Sequence, residues 1–369
     1  MFKKWGLSAA AMLLTAAVIL PGCGNKEAAP KEALQSTGAK ALAMTSYAMK
    51  SKVTINDLTI TGDASDEQAS TTGQVVSMLK GAEITVEGVH QADPMQTELT
   101  LGLNLKGSMS ISFSLPMIMT GEILYIQVPS IPFLPIPETL VGKYVKIDPK
   151  ELAEQQGTEF NANSLKPEDA QKLSNELLNA LLGEYDQEKY FKNVDPKDAG
   201  LPEDVKAKQV VRFQVAPDNV KEAVTIFVNQ ALPKLMEILE KDEYKDMLQL
   251  EEGQLGELKE QLQSEESKAK LDESLADLDK YLKLDQFELN TAIDKNDYPV
   301  YQDFKTKLTV NDPEQGMNVG LQLTATNQYS KIGEKQTFTL GIPKDEEVVT
   351  MEELQQQFGA LSSLGTTVN

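Results

Sequence analysis

The feature that most constrains this chain is a hydrophobic period of two. In TELTLGLNL, residues 97–105, Leu99, Leu101, Leu103 and Leu105 alternate with Glu98, Thr100, Gly102 and Asn104. In SMSISFSL, residues 108–115, Met109, Ile111, Phe113 and Leu115 alternate with Ser108, Ser110, Ser112 and Ser114. Successive side chains of a strand point to opposite faces, so each run has one apolar and one polar face. Lys106–Gly107 lies between them and reads as a tight turn. The pair is a hairpin of an antiparallel sheet that is wet on one side.

Other segments follow the same rule. Strands are expected at YAMKSKVTI from Tyr47, AEITVEGVH from Ala82, GEILYIQV from Gly121 and GKYVKID from Gly142. They recur at 205–215, 285–293, 301–310 and 317–326, and at QTFTLGI, 336–342. Asp312 to Gly316 carries the turn chemistry for one hairpin. Helical periodicity covers 32–45, 168–182 and 351–361, and the strongly acidic stretch 218–283. In that stretch Ala223, Phe227, Ala231, Leu235, Ile238 and Leu239 share one stripe, and Leu271, Leu275, Leu278 and Leu282 a second. Strand–helix–strand units do not repeat, which argues against a doubly wound parallel sheet. The expected fold is α+β: one large curved antiparallel sheet of about ten strands, a half-open barrel, with helices packed against one face.

The start of the chain has a different character. Lys3 and Lys4 precede an uncharged apolar run, Leu7 to Leu20. A membrane-spanning helix needs about 20 apolar residues, and this run is shorter. A charged start, a short apolar core and small residues before a cut make a secretory signal peptide. Leu20-Pro21-Gly22-Cys23 resembles the lipobox of bacterial lipoproteins. That resemblance implies recognition of Leu20 and Gly22 by the signal peptidase, and lipid attachment at Cys23, the only cysteine. Two acyl chains anchor stably where one is marginal. The expected organisation is a signal peptide at 1–22, a lipidated terminus and linker at 23–31, and one α+β domain at 32–369 with an acidic helical insertion at about 218–283.

Charge limits the partners. The formal net charge is −21, and removal of the two lysines in residues 1–22 takes it to −23. Nucleic acid needs a basic surface, so it is not expected as a partner. Catalytic chemistry is also thinly represented. His90 is the only histidine, beside the turn residues Asp93–Pro94, and reads as a surface residue. There is no nucleophile elbow, zinc-ligand spacing, phosphate loop or calcium loop. No enzyme activity, metal or cofactor is expected.

Residues 128–140, VPSIPFLPIPETL, hold four prolines around Ile131, Phe133, Leu134 and Ile136. Proline at this density excludes helix and central strand, leaving a stiff extended loop. Its apolar side chains either pack over one end of the sheet or form the rim or lid of an apolar site.

From the lipobox through MTSYAMKSKVTI, GVHQADPMQTELTL, ILYIQVP and GKYVKID, the chain resembles uncharacterised lipoproteins of Gram-positive bacteria of the Bacillus and Paenibacillus type. More distantly it is similar to the lipid carriers of the LolA and LppX/LprG type. The resemblance implies a half-open barrel that binds acyl chains, on the extracytoplasmic face of the cell membrane. The candidate ligand and lid residues are Leu101, Leu103, Ile111, Phe113, Ile131, Phe133, Leu134 and Ile136. Two functions stay open here: a binding module for a lipid or other hydrophobic ligand, and a cell-surface interaction lipoprotein with a solid core that meets a protein partner through its acidic helices.

Overall fold

The computed structural model describes residues 28–62, 66–107, 110–121, 123–131, 136–151, 167–248, 256, 264, 272–273, 275–312, 316–351 and 353–354. Its strands are β1 (Ser46–Thr61), β2 (Glu83–Ala92), β3 (Met95–Lys106), β4 (Ser110–Thr120), β5 (Ile123–Gln127), β6 (Tyr144–Ile147), β7 (Phe191–Val194), β8 (Gln209–Gln214), β9 (Leu282–Ile293), β10 (Pro299–Asp312), β11 (Met317–Ser330) and β12 (Val348–Thr350). They form one sheet in the order β12-β6-β5-β4-β3-β2-β1-β11-β10-β9-β8-β7. The edges β12 and β7 do not pair with each other, so the sheet is open.

The class is α+β, as expected, with two corrections. There are twelve strands, not about ten, and the sheet is mixed, because β12 runs parallel to β6. The reason is a crossover. After β11 the chain passes over the polar face of β2 and β3, and β12 pairs six strands away from β11. The expected strand 336–342 is this crossing segment. The amides of Thr339, Leu340 and Gly341 donate to the Glu98 carboxylate rather than to a neighbouring strand. An alternating pattern cannot form a strand when its donors are already taken.

The first helix, α1 (Pro30–Leu42), has proline at its start, Glu32 in its first turn and Lys40 in its last. These choices suit the fixed φ of proline and the helix dipole. A helix at Asp66–Leu79, α2, joins β1 to β2 and was not anticipated. α3 (Pro167–Gly183) and α4 (Gln187–Tyr190) precede β7. Between β8 and β9 lie α5 (Val220–Ile226), a π turn (Phe227–Ala231), α6 (Leu232–Leu239), α7 (Asp242–Leu248) and α8 (Leu278–Tyr281). Leu282, expected on a helical stripe, instead begins β9, and Leu271 lies outside the described residues.

Register separates the two faces of the sheet. Leu99, Leu101, Leu103 and Leu105 share the apolar face with Val86, Val53, Ala325, Phe304, Leu289 and Phe213. The main core covers this face at the β7 edge. Ala33 and Leu34 of α1, Leu182 of α3, Tyr185, Tyr190 and Ala223 pack with Phe191, Val211, Phe213 and Ile293. Ring contacts run on across the strands, from Phe213 to Phe287 at 6.3 Å and from Phe287 to Phe304 at 5.1 Å, both edge to face. Edge-to-face pairing sets a positive ring edge against a negative ring face, and it fixes how these side chains stack.

Candidate ligand-binding face

The apolar face is closed at one end of the sheet and half-open at the other. Val211 is 0% exposed and Phe213 9%, beneath the helices. Over β1 to β4 the same face is only half-buried at Val53, Val86, Leu99, Leu101, Leu103, Leu105, Ile111, Phe113 and Leu115. Ile84 and Met119 are exposed at 41% and 37%. A row of apolar side chains left in water costs free energy in proportion to its area, so this region gains from any apolar cover.

Pairing explains how the residues meet. Leu103 lies between Ile84 of β2 and Phe113 of β4, Leu101 between Val86 and Leu115, and Leu105 opposite Ile111. The structure therefore brings Leu101, Leu103, Ile111 and Phe113 onto one patch. Ile136 goes elsewhere: it packs with Val128, Leu140, Val145 and Val349 in a separate cluster beneath β6 and β12. Ile131 is half-buried at the start of the proline-rich loop. Phe133, Leu134, Leu20, Gly22 and Cys23 lie outside the described residues.

At the end of the sheet where β8 begins, the Gln209 end, β1, β2 and β3 carry Tyr47, His90 and Thr97 on this face, and β4 carries Met119. His90, expected as a surface residue, is half-buried on the apolar face. Its ring lies 5.2 Å from that of Tyr47, and Tyr47 lies 5.3 Å from Tyr329, edge to face. His90 Nδ1 is 2.8 Å from Thr97 Oγ1. Burial holds the imidazole below its usual pKa, and burial followed by the neighbouring Tyr329 pushes the Tyr47 phenol up. Both shifts favour the neutral forms of His90 and Tyr47.

No known protein family matches this chain, and no curated protein is similar to it. The site therefore rests on its own residues.

The opposite face is polar and carries charge pairs such as Glu83 with Lys52 and Lys106, at 3.2 and 2.8 Å. An open groove of about 520 Å³ lies there, beside Thr337, Thr339 and Leu340. Neither it nor a cleft of about 570 Å³ at Asp93–Pro94 is lined by Leu101, Leu103, Ile111 or Phe113. Among the described residues no three His, Cys, Asp or Glu side chains gather as a metal site. None of the described helices is long and apolar enough to cross a membrane.

Sequence reasoning missed Glu98. Its place in the alternation assigns it to the wet face, yet it is 3% exposed. The signal that would have found it is the crossing segment above it, and nothing local to Glu98 records that segment.

Proposed function

We propose that the chain is a membrane-anchored extracytoplasmic lipoprotein, beginning at Cys23 after processing, that binds a lipid or another hydrophobic ligand without transforming it. In this reading the open sheet curls as a half-open barrel of the LolA or LppX/LprG kind, and the ligand covers the apolar face of β1 to β4. The observation that carries it is the contrast along one face: burial at Val211 and Phe213 against half-burial at Leu99, Leu101, Leu103 and Leu105. A solid interaction module has no use for that asymmetry.

The alternative, a protein partner held by acidic helices, draws less support. Ion pairs already tie those helices to α3 and the residue after it: Lys241 with Glu176 at 2.5 Å, Lys234 with Glu184 at 2.5 Å and Glu243 with Lys172 at 2.7 Å. Such pairs orient the helices more than they stabilise them, because exposed ion pairs are worth under about 1 kcal/mol.

Native mass spectrometry of the purified mature chain, with titration of a fluorescent fatty acid, tests the reading. A retained apolar ligand or saturable probe binding supports it. A ligand-free protein that ignores the probe overturns it.

A further inference from the structure

We propose that Tyr47, His90, Thr97 and Tyr329 seat the polar head of an uncharged glycerolipid whose chains lie along the apolar face of β1 to β4. The inference rests on the reading that this face takes a hydrophobic ligand, and it adds the orientation and class of that ligand.

Three observations carry it. The first is the placement of polar atoms. Among the described residues, neither phenol hydroxyl nor His90 Nε2 has a hydrogen-bond partner, although all three rings are half-buried. These three atoms are not among the side-chain atoms shut off from solvent, so they stand open to a ligand that offers them partners. Ester carbonyls and a hydroxyl do so.

The second is charge. The register places no Lys, Arg, Asp or Glu on this face of β1 to β4 or of β11. A phosphate brought there would be partly desolvated with no cation to meet it, which is costly. A neutral head escapes that cost.

The third is length and tether. From Thr97 to Leu105 the strand spans about 26 Å at about 3.3 Å per residue. One leaflet of a bilayer is about 15 Å of hydrocarbon, so chains of that length fit between the head cluster and the far end of β3. The tether ends on the same side as the head cluster. Gln209 Nε2 donates to the Ala28 carbonyl at 2.9 Å, and the link from Cys23 to Ala28 spans at most about 18 Å. Gln209 begins β8, four strands from β1 in the sheet. Register places it at the same end as Ser46, Gln91 and Gln96. A chain anchored through Cys23 thus holds its head cluster near the bilayer that supplies the lipid.

The test compares three fluorescent probes with matched chains: diacylglycerol, phosphatidylglycerol and a plain hydrocarbon. They are titrated into the mature chain carrying Cys23→Ala, so that its own acyl groups do not compete. The same series is run on the Tyr47→Phe/Tyr329→Phe double variant, which keeps both rings, with circular dichroism to confirm folding. The expected result is diacylglycerol binding at least tenfold tighter than phosphatidylglycerol. The double variant should lose about tenfold for diacylglycerol and nothing for the hydrocarbon, matching two neutral hydrogen bonds. Equal affinity for the two glycerolipids, or no loss in the double variant, overturns the head seat while leaving the apolar site in place. Failure of all three probes to bind overturns the apolar site itself.

Discussion

Leu340 N–H donates to Glu98 Oε2 at 2.8 Å, although the two residues stand 242 positions apart. Thr339 N–H reaches the same oxygen at 2.7 Å, and Gly341 N–H reaches Oε1 at 2.8 Å. One carboxylate thus satisfies three successive amides and pins the crossing segment to β3. Hydrogen bonds to a charged acceptor are about twice as strong as neutral ones, and this acceptor is buried, while Leu340 and Gly341 are half-buried and Thr339 is exposed. Glu98→Ala should destabilise the fold by about 3 kcal/mol in chemical denaturation, with faster hydrogen exchange at 339–341. Glu98→Gln, which keeps an acceptor, should lose less. An alanine variant as stable as the parent would contradict the pinning role.

Beside it, Gly88 of β2 lies opposite Leu99 of β3. A Cβ at Gly88 would overlap the Glu98 carbonyl oxygen and sit 3.0 Å from Leu99 Cα. Backbone cannot swing aside as a flexible side-chain end can. Gly88→Ala should therefore cost about 1–3 kcal/mol through strain between β2 and β3. The midpoint of urea unfolding measures it, and an unchanged midpoint would mean the strands separate without cost.

Phe213 touches Tyr185 at 5.3 Å, Phe191 at 5.1 Å and Phe287 at 6.3 Å between ring centres. It joins the helices to the sheet at the closed end. Phe213→Ala should lose about 3–5 kcal/mol, as truncation of a buried aromatic does. Leu103→Ala, on the half-open patch, should lose clearly less. Thermal unfolding of the two variants side by side decides whether the contrast in burial is also a contrast in stability.

His90 gives a pH signature. Its folded-state pKa is depressed by burial, so the unfolded chain binds the proton more readily than the native one. Its favourable contribution is complete above the unfolded value of about 6.5 and is lost as pH falls below it. The groups facing it are Tyr47 and Thr97, with Tyr329 behind Tyr47, and the register places no Lys, Arg, Asp or Glu on this face of β1, β2, β3 or β11. The melting temperature should fall between pH 7 and pH 5, and His90→Gln should flatten that fall. An equal slope in both proteins would assign the pH dependence to the carboxylates.

Cys23→Ala should abolish metabolic labelling by radioactive palmitate and release the protein from membranes. Labelling that survives the substitution would remove the anchor reading, and with it the membrane as the source of ligand.

The period of two made most of the sheet legible, because alternation is a local property of the chain. Leu101, Leu103, Ile111 and Phe113 were placed together by pattern alone, and pairing bears this out. Short elements escaped. β7 has four residues and β12 three, too few for a period to register. α2 carries only a weak apolar stripe along DEQASTTGQVVSML, so its sequence resembles a loop.

By itself the sequence determined which residues line each face of the long strands and where the helices α1 and α3 lie. Side-chain direction follows from position in the chain, and apolar area seeks burial. Only the tertiary structure decided which part of the apolar face is covered, that Glu98 is buried, and that His90 lies against Tyr47. Those outcomes depend on segments far apart in the chain: α1 and α3 over Phe213, the 339–341 amides over Glu98, and β1 beside β2. Contacts of that kind are set by how the whole chain packs, and no local pattern records them.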